Sequence, residues 1–193
     1  MSLFVNHGLG SNLNIPNIIT LIRMIMVPII VWLILANQMY AAFIVFLLAG
    51  VSDALDGMIA KQFNLITPLG TYLDPLADKI LLVSIYVTLG IQQDLPSWLV
   101  ILVVSRDILI VGAILLSFLL ALNLAIVPSM LSKLNTFCQI ILAAFVLGDK
   151  GLQTGFTEAI ELTVYIVALT TVLSGLAYIL QWSRQNSEKA QNL

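Results

Sequence analysis

Charged residues are what this chain has least of. Only 9% of its 193 residues are charged, whereas 60% are hydrophobic. Soluble proteins carry about 25% charged residues, and a water-soluble core of this size could not bury so much apolar surface. The composition therefore excludes a soluble globular enzyme, a secreted disulfide-stabilised domain and a disordered segment. Together with a mean hydropathy of +1.05, it indicates an integral membrane protein.

Cysteine, histidine and basic residues are scarce as well. The single cysteine, Cys138, cannot form an intrachain disulfide, and with His7 as the single histidine the chain lacks the ligands of a zinc site. Cys138 lies in an apolar run, where thiols are usually inert. A net charge of −2 leaves no basic surface for nucleic acid. The polar residues 1–14 lack the features of a signal peptide.

Turn-forming residues divide the apolar sequence into six segments. The predicted spans are 16–36, 40–60, 71–91, 97–122, 132–147 and 157–181. Their lengths are close to the roughly 20 residues that cross a bilayer, and their uniform apolarity favours helices over barrel strands. The sequence shows no internal repeat and no domain boundary. We therefore expect residues 1–193 to form one all-α membrane domain with six transmembrane helices.

The distribution of basic residues near the span ends predicts the orientation. One side would carry Arg23, Lys61, Lys133, Arg184 and Lys189, and the other only Lys150. By the positive-inside rule, both termini and the loop 61–70 are expected in the cytoplasm.

Four aspartates fall inside or at the edge of predicted spans, where ionisable residues are costly and usually functional. Asp53 and Asp56 are three residues apart in the second span, and Asp74 and Asp78 are four apart in the third. Each pair therefore lies on one helix face. The connection of about ten residues predicts that the two spans are antiparallel neighbours whose acidic faces meet.

Four converging carboxylates would repel one another, and a divalent cation would relieve that repulsion. Oxygen ligands without histidine or cysteine suit Mg²⁺, Mn²⁺ or Ca²⁺, and Mg²⁺ held by acids commonly binds phosphates. Gly57, Ala60 and Gly70 leave space beside the carboxylates for a ligand. Tight helix packing would explain the small residues, but it would not explain the four acids.

Three other functions are compatible with acids at membrane depth. A cation transporter could use them as an ion site, but the chain lacks inverted halves and all four acids belong to one hairpin. A polyprenyl transferase also uses paired aspartates, although such proteins are usually longer. A small structural membrane subunit would leave the four acids unexplained.

The stretch 53–78 resembles the signature of the CDP-alcohol phosphotransferases, D-x2-D-G-x2-A-R-x8-G-x3-D-x3-D. Seven of the eight fixed positions match with the correct spacing. The departure is Lys61, where the family usually has arginine. Lysine keeps the positive charge but loses the planar fork that binds phosphate through two hydrogen bonds.

The resemblance implies a fold and a chemistry. Members of this family are six-helix membrane enzymes, often homodimers, that open to the cytoplasmic leaflet and displace CMP from a CDP-linked lipid by an alcohol. It implies one or two Mg²⁺ or Mn²⁺ ions held by Asp53, Asp56, Asp74 and Asp78, with Asp78 also a candidate general base. It implies CDP-diacylglycerol contacts from Asn17, Thr20, Asp56, Gly57, Ala60, Lys61, Gly70 and Asp74. A multi-pass protein of the bacterial inner membrane is expected.

Four further stretches bear on the acceptor alcohol. Residues 14–23 and 73–80 look like both phosphatidylglycerophosphate synthases and eukaryotic-type cardiolipin synthases. Residues 105–110 and 132–136 are similar to cardiolipin synthases, whereas relatives that use glycerophosphate more often have Arg-Glu in the fourth span. The resemblance therefore favours phosphatidylglycerol, giving cardiolipin. Glycerol 3-phosphate, giving phosphatidylglycerophosphate, is the alternative.

Both acceptors carry a phosphate, and three basic residues are candidates to bind it: Lys79, Arg106 and Lys133. Each also has a structural interpretation. Arg106 could form an internal ion pair with Asp107, Lys133 could extend to lipid headgroups, and Lys79 could tune the acidity of its neighbour Asp78. Arg23, in the first span, is expected to extend to the membrane surface.

Overall fold

The computed structural model describes residues 15–62, 68–119 and 130–191, and the side-chain environments of residues 20–53, 77–112 and 130–180. Within these ranges the secondary structure consists of six helices and no strand. They are α1 (Ile15–Leu35), α2 (Met39–Gln62), α3 (Pro68–Ile91), α4 (Ser97–Leu119), α5 (Met130–Leu152) and α6 (Thr157–Gln191). The predicted all-α fold with six helices is confirmed.

The fifth helix is longer than predicted. The predicted span ends at residue 147, but α5 continues to Leu152 and includes Gly148 and Gly151. A Cβ atom on Gly151 would lie 2.8 Å from the Cα atom of Tyr40, and one on Gly148 would lie 3.3 Å from the ring of Phe43. These glycines therefore let α5 approach the beginning of α2 closely, rather than ending the helix.

The sixth helix also extends past its predicted end at residue 181 and reaches Gln191. No glycine or proline follows Gly175, so nothing in the polar tail interrupts the helical hydrogen bonds.

Two helices, Met130–Leu152 and Thr157–Leu180, are long and apolar enough among the described residues to cross a membrane. Thr20–Leu35 and Met39–Asp53 are shorter apolar helices. Length and composition thus support two of the six predicted spans directly, and the six-span topology stays a prediction.

Helix α1 contacts both of the helices that carry the aspartates. It packs against α2 and α3, while α5 packs against α2, α3 and α6, and α4 packs against α3 and α6. Among the described residues, no direct packing of α2 against α3 is seen. The side chains of residues 54–62 and 68–76, which flank the connection between these two helices, lie outside the described part of the structure, so their antiparallel neighbourhood stays a prediction.

Short turns close the end of the bundle opposite the aspartates. Asn37, Gln93 and Gln153 each adopt a left-handed backbone conformation there, with φ values of 57°, 63° and 54°. Such a residue satisfies the last carbonyls of a helix. Lys150 Nζ lies 2.6 Å from Asp94 Oδ1 and joins the end of α5 to the turn before α4.

Replacing Gly151 with alanine should destabilise the fold by roughly 1–3 kcal/mol, because the added methyl group meets Tyr40 backbone atoms that cannot rotate away. Gly112→Ala is the matched control, since a Cβ atom there meets nothing within 4 Å. Melting temperatures of the two variants in detergent compare them. Equal melting temperatures would contradict this, because they would show that α5 and α2 can move slightly apart without a loss of stability.

Candidate functional site

A buried arginine joins the first three helices. Arg23 on α1 is 1% exposed and is among the largest fully buried side chains of the described residues. Its Nη1 atom lies 2.8 Å from Asp53 Oδ1 on α2 and 2.6 Å from Asp78 Oδ1 on α3. A buried guanidinium needs such partners, since desolvation without them would cost several kcal/mol. We call these three residues the acidic cluster.

The expectation that Arg23 extends to the membrane surface was wrong. Its guanidinium group is buried and binds the two aspartates. The available signal was its position two turns inside an apolar helix, where a charge usually faces a partner or a functional cavity. Asp53 and Asp78 do come together as the sequence predicted, but a guanidinium of α1 brings them together.

The acidic cluster borders a cavity of about 80 Å³ that α1, α2, α3 and α5 enclose. The side chains of Asp53 and Asp78 are 44% and 39% exposed, so both carboxylates can be reached by a ligand. The three described side chains, one guanidinium and two carboxylates, have a formal charge of −1, which favours a cation.

Seven predicted site residues have side chains outside the described part of the structure. They are Asn17, Asp56, Gly57, Ala60, Lys61, Gly70 and Asp74. Among the described residues, no three acidic, histidine or cysteine side chains form a group that could hold a metal. Thr20, the eighth predicted CDP-lipid contact, is buried one turn before Arg23 on α1.

A second buried charge network lies between α3, α4, α5 and α6. Arg106 Nη1 donates to Asp107 Oδ1 at 2.7 Å, and Lys79 Nζ donates to the same oxygen at 2.8 Å. Arg106 Nη2 donates to Ser132 Oγ at 2.7 Å and to Ser174 Oγ at 2.5 Å. We call these five residues the basic cluster, because two cations share one carboxylate within it.

The basic cluster contains two of the three predicted acceptor-binding residues. Arg106 forms an ion pair with Asp107, as its structural interpretation predicted from the sequence. Lys79 contacts Asp107, and its side chain is 26% exposed, whereas Arg106 is 5% exposed. Lys133 is exposed on the surface of α5. Of the charged members of the cluster, Lys79 is therefore the one that a ligand reaches most readily.

The two serines of the basic cluster were not among the predicted site residues. Their signal was weak, because small hydroxyl residues are common in packed membrane helices. Ser174 lies on α6, and its position follows from the seam between α5 and α6. There Asn135 Oδ1 accepts hydrogen bonds from the hydroxyl groups of Thr170 and Thr171, both at 2.9 Å. This seam fixes the α6 hydroxyl against the guanidinium of Arg106.

The two clusters meet at consecutive residues of α3, Asp78 and Lys79. One cluster has excess negative charge and the other has excess positive charge. Such a pair of sites can hold a cation with its bound phosphates beside a second, anionic ligand. This arrangement suits the joining of two phosphate-bearing molecules.

Comparison with known proteins identifies the family of this chain. Residues 13–181 match the family model described as CDP-alcohol phosphatidyltransferase. A CDP-diacylglycerol–glycerol-3-phosphate 3-phosphatidyltransferase of Rickettsia typhi is 32% identical over 170 residues, which cover 86% of this chain and 94% of that protein. The corresponding Bacillus subtilis enzyme is 34% identical over 86% of this chain and 93% of its own length.

Relatives that are named as a different enzyme of lipid synthesis are about as similar to this chain. The cardiolipin synthase (CMP-forming) of Rattus norvegicus is 31% identical over 85% of this chain and 60% of its own length. These matches favour a phosphatidyltransferase over the cation transporter, the polyprenyl transferase and the structural membrane subunit that the sequence also allowed. The chain belongs to the CDP-alcohol phosphatidyltransferase family and is an enzyme of phospholipid synthesis.

Proposed function

We propose that this enzyme transfers the phosphatidyl group of CDP-diacylglycerol to phosphatidylglycerol, forming cardiolipin and CMP. The observation that carries the proposal is the placement of Asp53 and Asp78, the first and last acids of the signature, at one guanidinium beside the basic cluster. The negative side suits the metal-bound pyrophosphate of the donor. The positive side suits the phosphate of the acceptor.

The reaction is a displacement at the phosphorus next to diacylglycerol. The acceptor hydroxyl oxygen forms the new bond to phosphorus, and the bond from phosphorus to the bridging oxygen breaks. CMP leaves with that electron pair, and Asp78 takes the hydroxyl proton. Its 39% exposure lets a hydroxyl group reach the carboxylate. Positioning and charge neutralisation supply the rest of the catalysis.

A divalent metal fits the acidic cluster. Asp53 and Asp78 offer hard oxygen atoms, and the signature adds Asp56 and Asp74 on the same two helices. We propose that these four residues hold one or two Mg²⁺ or Mn²⁺ ions. A bound ion would neutralise charge on the pyrophosphate. We propose donor contacts from Thr20 and Lys61 and from the small residues of the signature.

Phosphatidylglycerol is favoured as the acceptor by the stretches 105–110 and 132–136. The structure joins polar residues of the two stretches, since Arg106 binds both Asp107 and Ser132. We propose that Lys79 and Arg106 hold the acceptor phosphate and that Lys133 lies at the entrance. Glycerol 3-phosphate is the second candidate, because the Rickettsia and Bacillus relatives are named glycerol-3-phosphate 3-phosphatidyltransferases.

The proposal includes a setting for the enzyme. Both substrates are membrane lipids, and the basic residues near the predicted span ends favour a cytoplasmic location for both termini. We propose a multi-pass homodimer in the bacterial inner membrane, with the two clusters in the cytoplasmic half of the bundle.

Removing the guanidinium should make the acidic cluster respond more strongly to divalent ions. In Arg23→Ala, two carboxylates lose their shared cation, so the melting temperature in detergent should fall and then recover on addition of Mn²⁺ or Mg²⁺. Arg106→Ala is the control, because its carboxylate partner keeps Lys79. The same ion-induced recovery in both variants would speak against a metal at Asp53 and Asp78.

Neutralising either acid of the cluster should abolish CMP release while the protein remains folded. Asp53→Asn loses a metal ligand, and Asp78→Asn loses a ligand and the proton acceptor. Asp94→Asn is the control, because Asp94 pairs with Lys150 at the opposite end of the bundle. The measurement is CMP formed from CDP-diacylglycerol with Mg²⁺ or Mn²⁺. Near-normal release by Asp53→Asn, with an unchanged metal requirement, would remove that residue from the site.

The acceptor is decided by direct competition. Purified enzyme with CDP-diacylglycerol should form cardiolipin from phosphatidylglycerol, and it should incorporate little radiolabelled glycerol 3-phosphate. Ready incorporation of glycerol 3-phosphate, with phosphatidylglycerol left unused, would reassign the enzyme as a phosphatidylglycerophosphate synthase.

A further inference from the structure

An apolar groove of about 470 Å³ lies between α3 and α4. This volume falls within the range of about 300–1,000 Å³ that is usual for sites of small organic ligands. Its apolar walls come from Ile80 and Val83 on α3 and from Ile108 and Val111 on α4. Ile108 is 65% exposed and Val111 is 42% exposed, so the groove opens at the surface of the bundle.

Two charged residues line the groove. Lys79 and Asp107 lie about midway along it, because α3 and α4 are antiparallel, so that residues 83–84 lie nearer to their connecting turn and residues 111–112 lie farther from it. Arg106 also binds Asp107, so two cations face one carboxylate and the formal charge of these three side chains is positive. An apolar groove with a net positive charge on its wall is complementary to an anionic lipid, with its phosphate at the cluster and a chain in the groove.

We propose that this groove holds an acyl chain of the acceptor phospholipid, so that it selects a lipid acceptor over a water-soluble one. The inference rests on the proposed function, because it assumes that the acceptor phosphate binds at the basic cluster. The donor is a poorer occupant of the groove. Its pyrophosphate belongs at the acidic cluster, which borders the separate cavity of about 80 Å³.

Gly112 gives a way to block the groove without disturbing the fold. It lines the groove, and a Cβ atom added to it meets nothing within 4 Å. A phenylalanine side chain at this position would therefore extend into the groove. Leu109 supplies the control: it is 64% exposed on the same helix and does not line the groove.

The experiment compares two acceptors that share a headgroup. Phosphatidylglycerol carries acyl chains, and glycerophosphoglycerol is the same headgroup without them. Gly112→Phe should lower kcat/KM for phosphatidylglycerol by about tenfold and leave turnover of glycerophosphoglycerol nearly unchanged. Leu109→Phe should change neither. Equal losses with both acceptors, or no loss with phosphatidylglycerol, would overturn the assignment of the groove.

A second pair of variants tests whether misfolding, rather than a blocked groove, causes the loss. Ile108→Trp should reproduce the selective loss, and Leu109→Trp should not, since these neighbours are equally exposed but only Ile108 lines the groove. Matching melting temperatures establish that all variants are folded.

A labelling experiment tests whether the lipid binds in the groove, independently of whether it reacts. Phosphatidylglycerol with a photoreactive group on one acyl chain should label residues 80–84 and 108–112 of the wild-type protein, and Gly112→Phe should lose that label. Labelling confined to other helices would overturn the groove assignment even if cardiolipin forms. Labelling of the groove without turnover of phosphatidylglycerol would overturn the proposed acceptor, but it would retain the groove as a lipid site.

Discussion

The contact of one buried guanidinium with two carboxylates organises the site. Arg23 sits on α1, which packs against both helices that carry the signature aspartates, and it binds one acid from each. Since burying this charge is unfavourable without partners, the position of α1 is tied to the position of the acids. The same two carboxylates are the ones proposed to hold a divalent ion, so this structural interaction would also shape the metal site.

Helix α3 contributes one residue to the acidic cluster and one to the basic cluster, on two different faces. Consecutive residues on a helix point about 100° apart, so Asp78 faces Arg23 while Lys79 faces Asp107. The acid that is proposed to take the proton is thereby adjacent in sequence to the cation proposed to hold the acceptor phosphate. A single turn of α3 can place the hydroxyl group of the acceptor against the phosphorus of the donor. The groove between α3 and α4 continues the acceptor side as an apolar surface.

Local sequence signals predicted the helices and the acids well. Polar turns marked all six helices, and the spacing of Asp53 and Asp78 in the signature identified residues that the structure brings together. Long-range packing was not predictable in this way. Nothing near Arg23 in the sequence shows that its partners lie on α2 and α3. The glycine pair at the end of α5 has the composition of a turn, and only the close approach of Tyr40 and Phe43 explains it.

The central claim is that the phosphatidyl group moves intact from CDP-diacylglycerol to an alcohol. It is tested most directly by labelling, with ³²P, the phosphate next to diacylglycerol and following the label during turnover with Mg²⁺ and phosphatidylglycerol. We expect the label in cardiolipin, unlabelled CMP in equal amount, and neither product without the metal. Label recovered as phosphatidic acid, with no transfer to the acceptor, would contradict the account, because the enzyme would then be a hydrolase.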